Sequence, residues 1–305
     1  VLARAFRARA ELVFQAAAEA HGATEEELAE RLAPDLGLTP EGWLPGVPRR
    51  RLVVRGLKVQ ILDEDGQPVG PPRPGVGDDV ATLKREAHVV LKDGAARLRA
   101  RMTLGQGMSV EHFAETYLMH PLLRALAAGV VWGAQDGDRL AFTFTVGATG
   151  PVDARGQPVP LPEGRTVVVV HPSQLTEAER AAWAARLQRQ PSDPLRRLGE
   201  AARTPDELAA RLAALQGREV QVATLLRLRA KGWDAAPQDG GLAPTLVRRG
   251  GAFGVVEVDF TPGLFLGNPL QYLAQRLEAV RVFLRPDAPP SLLSEVEWEL
   301  SQALR

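Results

Sequence analysis

No cysteine occurs in the 305 residues, which excludes disulfides, thiolate metal centres and a cysteine nucleophile. Lysine is nearly as scarce. Lys58, Lys84, Lys92 and Lys231 are four among 37 basic residues, so almost every cation is an arginine fork. Arginine suits bidentate recognition of phosphate or carboxylate, but codon usage in a GC-rich genome, which also favours alanine, glycine and proline, explains the excess better. Aromatic residues make up 5% of the chain, too few for a base-stacking platform. No apolar run approaches the roughly 20 residues of a membrane span. Charge of one sign is missing too: 37 basic residues face 37 acidic ones. That balance argues against a nucleic-acid footprint over the whole chain and leaves room only for a local patch.

The familiar nucleotide and nucleophile motifs are absent. There is no G-x-x-x-x-G-K-[ST] loop and no G-x-S-x-G elbow. Gly105-Gln106-Gly107 lacks the third glycine and the preceding strand of a dinucleotide fingerprint and reads as an ordinary loop. Asp63-Glu64-Asp65-Gly66 starts like a calcium loop but lacks its closing glutamate, so a solvated hairpin turn is expected. His112 and His120 stand eight residues apart across Pro121, about 12 Å along a helix and too far to share a metal. No cofactor and no metal site is expected.

What is present is globular: 45% hydrophobic and 24% charged residues. Thr24-Glu25-Glu26-Glu27, Thr176-Glu177-Ala178-Glu179 and Thr204-Pro205-Asp206-Glu207 are helix-start signatures. Periodicity predicts helices over 3–21, 24–33, 79–102, 109–129 (broken at Pro121), 177–189, 205–215, 220–231 and 292–304. Gly94 makes a break in the long central helix plausible. Strands are predicted at 51–54, 57–62, 139–146, 158–161, 166–170, 253–260 and 279–284, with hairpin turns at Asp65-Gly66 and Arg155-Gly156. Breaks are expected at the Pro/Gly-rich Val69–Asp79 stretch, near Gln190–Arg203 and near Ala235–Gly251. The fold class is therefore α+β: N-terminal helices plus a β-meander over 1–75, a central helical and β-hairpin part over 76–200, and a mixed α+β part over 201–305. The start at Val1-Leu2-Ala3-Arg4, without Met, reads as a cut from a longer chain.

An ordered series of segments resembles a bacterial family. It runs from Glu27-Leu28-Ala29-Glu30-Arg31-Leu32 through Pro34-Asp35-Leu36-Gly37-Leu38 to Phe113, His120-Pro121-Leu122-Leu123 and Val131-Trp132-Gly133. Asp153-Ala154-Arg155-Gly156, His171-Pro172, Trp183, Gln190-Pro191, Gly232-Trp233 and Ser294-Glu295-Val296 continue it. The family is the domain of unknown function, number 4132, found in molybdate metabolism regulator (MolR-like) proteins. Ser192, Asp193 and Pro194 depart from the aromatic and second glutamine usual after Gln-Pro in that family. Trp132-Gly133 is not the separate Trp-Gly-Arg module that some relatives carry upstream. The resemblance implies a multidomain, regulatory setting and supplies no reaction; the expectation of a cytoplasmic chain comes from composition.

Candidate site residues are few. His120 and His171 both precede proline and mark sharp exits from elements. They are the candidate catalytic residues, with His171 requiring Asp136, Asp138 or Glu115 as an acid/base partner, but a structural cap is the favoured role. Arg97, Arg99 and Arg101 form a candidate basic ridge, Arg49-Arg50-Arg51 another, each competing with the plainer reading of a solvated face. Trp132 is a candidate ligand contact, yet the apolar run Leu122–Val131 before it predicts a buried core anchor. The expected function is a non-catalytic regulatory or scaffold module contacting other domains of its own chain or a bacterial partner protein, with no membrane contact. A nucleic-acid-associated module of a regulator or defence-type system is the alternative, and an enzyme of unrecognised type the third.

Overall fold

The computed structural model describes residues 2–45, 49–69, 79–137, 139–161, 163–187, 203–236 and 239–304. Most of the Val69–Asp79 stretch, most of Gln190–Arg203, and Asp138 lie outside the described residues. The architecture is α+β with three antiparallel sheets. The chain divides into two compact units. One comprises Val1–Arg101, Gln106–Pro172 and Thr176–Glu200; the other comprises Met102–Gly105, Ser173–Leu175 and Ala201–Arg305.

The first unit opens with helices α1 (Leu2–Ala20) and α2 (Glu25–Arg31). α2 starts where the Thr24 hydroxyl accepts from the Glu27 N–H at 3.1 Å and the Glu27 carboxylate accepts from the Thr24 N–H at 3.0 Å, a complete capping box. The meander follows as β1 (Trp43–Leu44), β2 (Arg50–Arg55) and β3 (Lys58–Leu62). Then come α3 (Asp79–Leu104), β4 (Gly107–Ser109), α4 (Val110–Phe113), a π-helical turn over Ala114–Met119, and α5 (Pro121–Ala127). α3 runs unbroken through Gly94, contrary to the plausible break there. A Cβ at that position would lie 2.7 Å from Leu123 Cδ2 and 2.9 Å from Leu126 Cδ1. The glycine is therefore where α5 leans in, and packing offsets its poor helix propensity.

Strands β5 (Trp132–Asp136), β6 (Arg139–Val146), β7 (Pro151–Val152) and β8 (Thr166–Val169) complete a sheet of order β4-β8-β5-β6-β7. α6 (Glu177–Leu187) sends the Trp183 indole N–H to the Thr143 hydroxyl on β6 at 3.0 Å. The strand expected at 158–161 is absent. Only a single bridge joins Val152 to Pro158, because Pro158 and Pro160 cannot donate to a ladder. Two turns of this unit are copies of one motif, Asp63-x-x-Gly66-Gln67-Pro68-Val69 and Asp153-x-x-Gly156-Gln157-Pro158-Val159. The Asp63 carboxylate accepts from the Asp65 and Gln67 N–H groups at 3.1 and 2.8 Å, and Asp153 does the same for Arg155 and Gln157 at 2.9 and 2.8 Å. Asp63 thus caps its own turn.

The second unit contains α7 (Pro205–Ala213), β9 (Glu219–Gln221), α8 (Val222–Ala230), β10 (Trp233–Ala236), β11 (Leu242–Arg249), β12 (Gly254–Phe265), β13 (Ala274–Leu284) and α9 (Pro290–Ala303). The sheet order is β10-β11-β12-β13-β9. Leu212, Leu228, Trp233, Val256, Val258, Leu277, Val296 and Leu300 form its core. The break expected near Ala235–Gly251 is corrected here, since the end of β10 and the whole of β11 together occupy most of it. Gly240 and Gly241, at φ 81° and 78°, make only the turn, and Pro244 falls where the β11–β12 register shifts between Ala243 and Thr245, a bulge that dispenses with its missing N–H.

Candidate functional site

In the first unit four polar side chains meet in the interior. Glu30 on α2 receives Arg101 of α3 through Nε at 2.9 Å and Nη2 at 3.0 Å, His112 Nε2 of α4 at 2.7 Å, and the Tyr117 hydroxyl of the π turn at 2.8 Å. None of the four is more than 3% exposed. Local sequence aims each of them. The Ser109 hydroxyl caps α4 by accepting from the His112 N–H at 3.1 Å, and the wide π turn carries Tyr117 inward. Arg101 also donates to the Gly107 carbonyl at 3.2 Å. Burial alone would raise the Glu30 pKa, but hydrogen bonds from His112 and Arg101, the charge of Arg101 and the Tyr117 hydroxyl outweigh it and hold the pKa at about 2. Burial and the adjacent carboxylate push the Tyr117 phenol well above its ordinary range. An ionised carboxylate only accepts, so His112 carries its proton on Nε2.

This cluster is sealed. Its bonds tie together residues 71 to 87 positions apart in sequence, and it is closed to solvent, so it acts as a lock between elements. Three buried atoms beside or near it, Arg97 Nε, His112 Nδ1 and Thr116 Oγ1, have no hydrogen-bond partner among the described residues. The sequence reading missed Glu30, His112 and Tyr117 as a group. One signal pointed there: Arg101 continues the apolar stripe Ala87-Leu91-Gly94-Leu98 of α3, where a charge needs a buried partner. Beside the cluster, Trp132 is fully buried, edge-on to Phe113 at 4.8 Å and tilted against Tyr117 at 5.0 Å. Its indole N–H donates to the Ala127 carbonyl at 2.9 Å.

The other residues singled out from the sequence are dispersed. His120 caps α5: its Nδ1 accepts from the Leu122 and Leu123 N–H groups, both at 3.2 Å, and its Nε2 donates to the Ala33 carbonyl at 3.1 Å. Burial above all holds its pKa below the usual histidine value. His171 is 1% exposed and hydrogen-bonded or otherwise engaged, whereas the Asp136 side chain is 81% exposed and Glu115 lies at the surface. Arg97, Arg99 and Arg101 do not make one ridge. Arg101 is inside, Arg97 half-buried one turn away, and Arg99, two residues from each, points elsewhere and is itself engaged. Among the described residues no group of three or more His, Asp or Glu side chains is arranged to hold a metal ion, and no helix is long and apolar enough to cross a membrane.

A cleft of about 650 Å³ opens on the first unit. Leu52, Val53 and Val54 of β2, Ala125 of α5 and Ala128 just after it, and Val146 at the end of β6 form its mostly apolar walls, and Arg51, Arg124, Arg186 and Glu41 lie among its lining residues. Arg124 donates to the carbonyls of Leu118 at 3.4 Å, Gly147 at 3.3 Å and Ala148, fixing the turn after β6. Arg51 donates through Nε to the Glu41 carbonyl at 3.0 Å and, with Arg49, lies over the Trp43 ring. Glu41 accepts from the Thr39 hydroxyl at 2.9 Å, and that bond foremost holds its pKa below the usual carboxylate value.

These features define a two-unit α+β protein with a buried ion cluster and an arginine-bearing cleft, and no recognisable cofactor centre among the described residues. Its family follows from comparison. The model described as "Domain of unknown function (DUF4132)" matches residues 71–233, more than half the chain, and the chain belongs to that family. It is 27% identical over 327 aligned residues to the "Uncharacterized protein YehI" of Escherichia coli (strain K12), an alignment that covers 99% of this chain. The chain spans about a quarter (26%) of the length of that curated relative. No solved structure matches it.

Proposed function

We propose that this chain is a non-catalytic regulatory or scaffold module of a longer, cytoplasmic, MolR-like protein, working through contacts with other protein segments. One observation carries the reading. The groups suited to acid–base chemistry, Glu30, His112 and His120, are committed to bonds that hold elements together, while the cleft presents guanidinium groups suited to recognition. The link to molybdate regulation rests on the ordered motifs from Glu27 to Val296. The nucleic-acid reading loses its helical ridge once Arg101 is buried.

Hydrogen exchange tests the module reading. Amides at the surface of this chain should exchange more slowly within the longer protein than in the isolated chain. Identical exchange throughout would overturn it, as would turnover of any substrate that is lost in a folded His120→Gln variant.

A further inference from the structure

We propose that the cleft between β2, α5 and the end of β6 is a docking site for an extended acidic segment of a partner protein, added as a strand to the free edge of β2. This rests on the module reading and names its surface and its partner's chemistry.

The backbone supplies the first argument. β1 pairs with β2 only at Leu44↔Arg50 and Trp43↔Arg51, and the Leu52 N–H then reaches the Gly42 carbonyl at 2.8 Å. Gly42, at φ 85°, ends that pairing. Strand alternation turns the Val54 N–H and carbonyl to the same side as the Leu52 N–H, and there no strand accompanies β2 among the described residues. Both Val53 and Val54 line the cleft. A free edge beside apolar walls is the arrangement used for strand addition, where backbone bonds give affinity and side-chain pockets give selectivity.

Charge supplies the second. Arg51, Arg124 and Arg186 line the cleft. Among the described residues no carboxylate comes within 4 Å of any of the three, although the Glu41 carboxylate feels the charges of Arg124 and Arg51, and Arg186 has no hydrogen-bond partner. Arg186 is exposed, its Nη1 lying 2.9 Å from where a Cβ at Gly156 would stand. Glu41, the acidic lining residue, takes its hydrogen bond from Thr39 and offsets only part of the arginines' charge. In a chain whose formal net charge is zero, three arginines against the single carboxylate of Glu41 in one cleft are a local excess of positive charge that selects an acidic occupant. The apolar walls select one that alternates carboxylates with aliphatic side chains.

The test is fluorescence anisotropy with a short fluorescein-labelled peptide alternating glutamate and valine, titrated with the whole chain. It should bind, more weakly as salt rises. The same peptide with glutamine for glutamate should bind at least about tenfold more weakly, a comparison that requires no variant protein. Arg186→Glu, at an exposed position, should melt with the parent and lose at least about tenfold in affinity; Arg51→Glu should act in the same direction. No binding, equal binding of the glutamine peptide, or undiminished binding by both variants would overturn the proposal. So would full competition by millimolar inorganic phosphate, which would mark a small-anion site. Tighter binding of oligothymidine that fails in the same variants would overturn it in favour of a nucleic acid. If the peptide fails while exchange still shows protection elsewhere in the longer protein, the docking assignment falls and the module reading stands.

Discussion

Trp132 and Glu30 show how single side chains set the interior of the first unit. The Trp132 indole is enclosed by Phe113, Tyr117 and the Ala127 carbonyl, so truncation leaves a cavity lined by rings that cannot collapse into it. Trp132→Ala should destabilise the protein by about 3–5 kcal/mol, read as a lower denaturation midpoint at unchanged slope; a variant melting with the parent would place the ring outside the core. Glu30 is stricter still, because four donated hydrogen bonds converge on its two oxygens. Glu30→Gln keeps the volume but leaves Arg101 charged, buried and without its counterion, a change expected to cost about 3–5 kcal/mol. Arg101→Met alone should be comparably harmful, and the Glu30→Gln/Arg101→Met pair should recover part of the loss in a double-mutant cycle.

Among elements, the α4–π–α5 segment converts one stretch of chain into a cap, a phenol and a packing face. His120 ends the π turn and starts α5, and its acceptor role at Nδ1 exists only while that nitrogen is unprotonated. Burial lowers its pKa in the fold, so its contribution is fully present above the unfolded value of about 6.5 and is lost as pH falls through the lowered folded value. His120→Ala should cost about 1 kcal/mol near neutral pH, and the gap in melting temperature from the parent should narrow at acidic pH. α5 also requires Gly94 on α3. Leucine there would gain helix propensity on an isolated helix, yet Leu123 and Leu126 occupy its space; Gly94→Leu should therefore lose about 1–3 kcal/mol by overpacking.

Across the whole molecule, two buried glutamates respond to acid with opposite sign. Glu30 sits at a pKa of about 2 against an ordinary 4.5, so its stabilisation is present above pH 4.5 and drains away as pH falls toward 2. In the second unit, Glu299 accepts from the Trp233 indole at 2.7 Å, with Arg248 at 3.6 Å, while its Oε1 has no partner among the described residues. Burial raises its pKa, with Arg248 and Trp233 countering incompletely and Glu295 adding to the rise. Its ionisation therefore disfavours the fold as pH climbs above 4.5. Glu299→Gln, which keeps an acceptor for Trp233, should raise the melting temperature at pH 7, and the gain should vanish below pH 4.5. An unchanged or lowered melting temperature at pH 7 would show that the ionised carboxylate is satisfied where it lies.

Local chemistry was enough to determine the helix starts at Thr24, Thr176 and Thr204, the turns at Asp65-Gly66 and Arg155-Gly156, the α+β class and the burial of Trp132, because hydroxyl caps, glycine turns and apolar runs act within a few residues of themselves. The ordered motifs likewise indicated the family. Only tertiary structure decided the rest. Gly94 continues a helix because α5 fills the space a side chain would take, and β11 forms through a glycine- and proline-bearing segment because β10 and β12 flank it. Glu30 reads as one more acid on an acidic helix until Arg101, His112 and Tyr117 arrive from 71 to 87 residues away. The cleft was equally hidden, since Arg51, Arg124 and Arg186 are strangers in sequence and become neighbours only when β2, α5 and α6 pack around one opening.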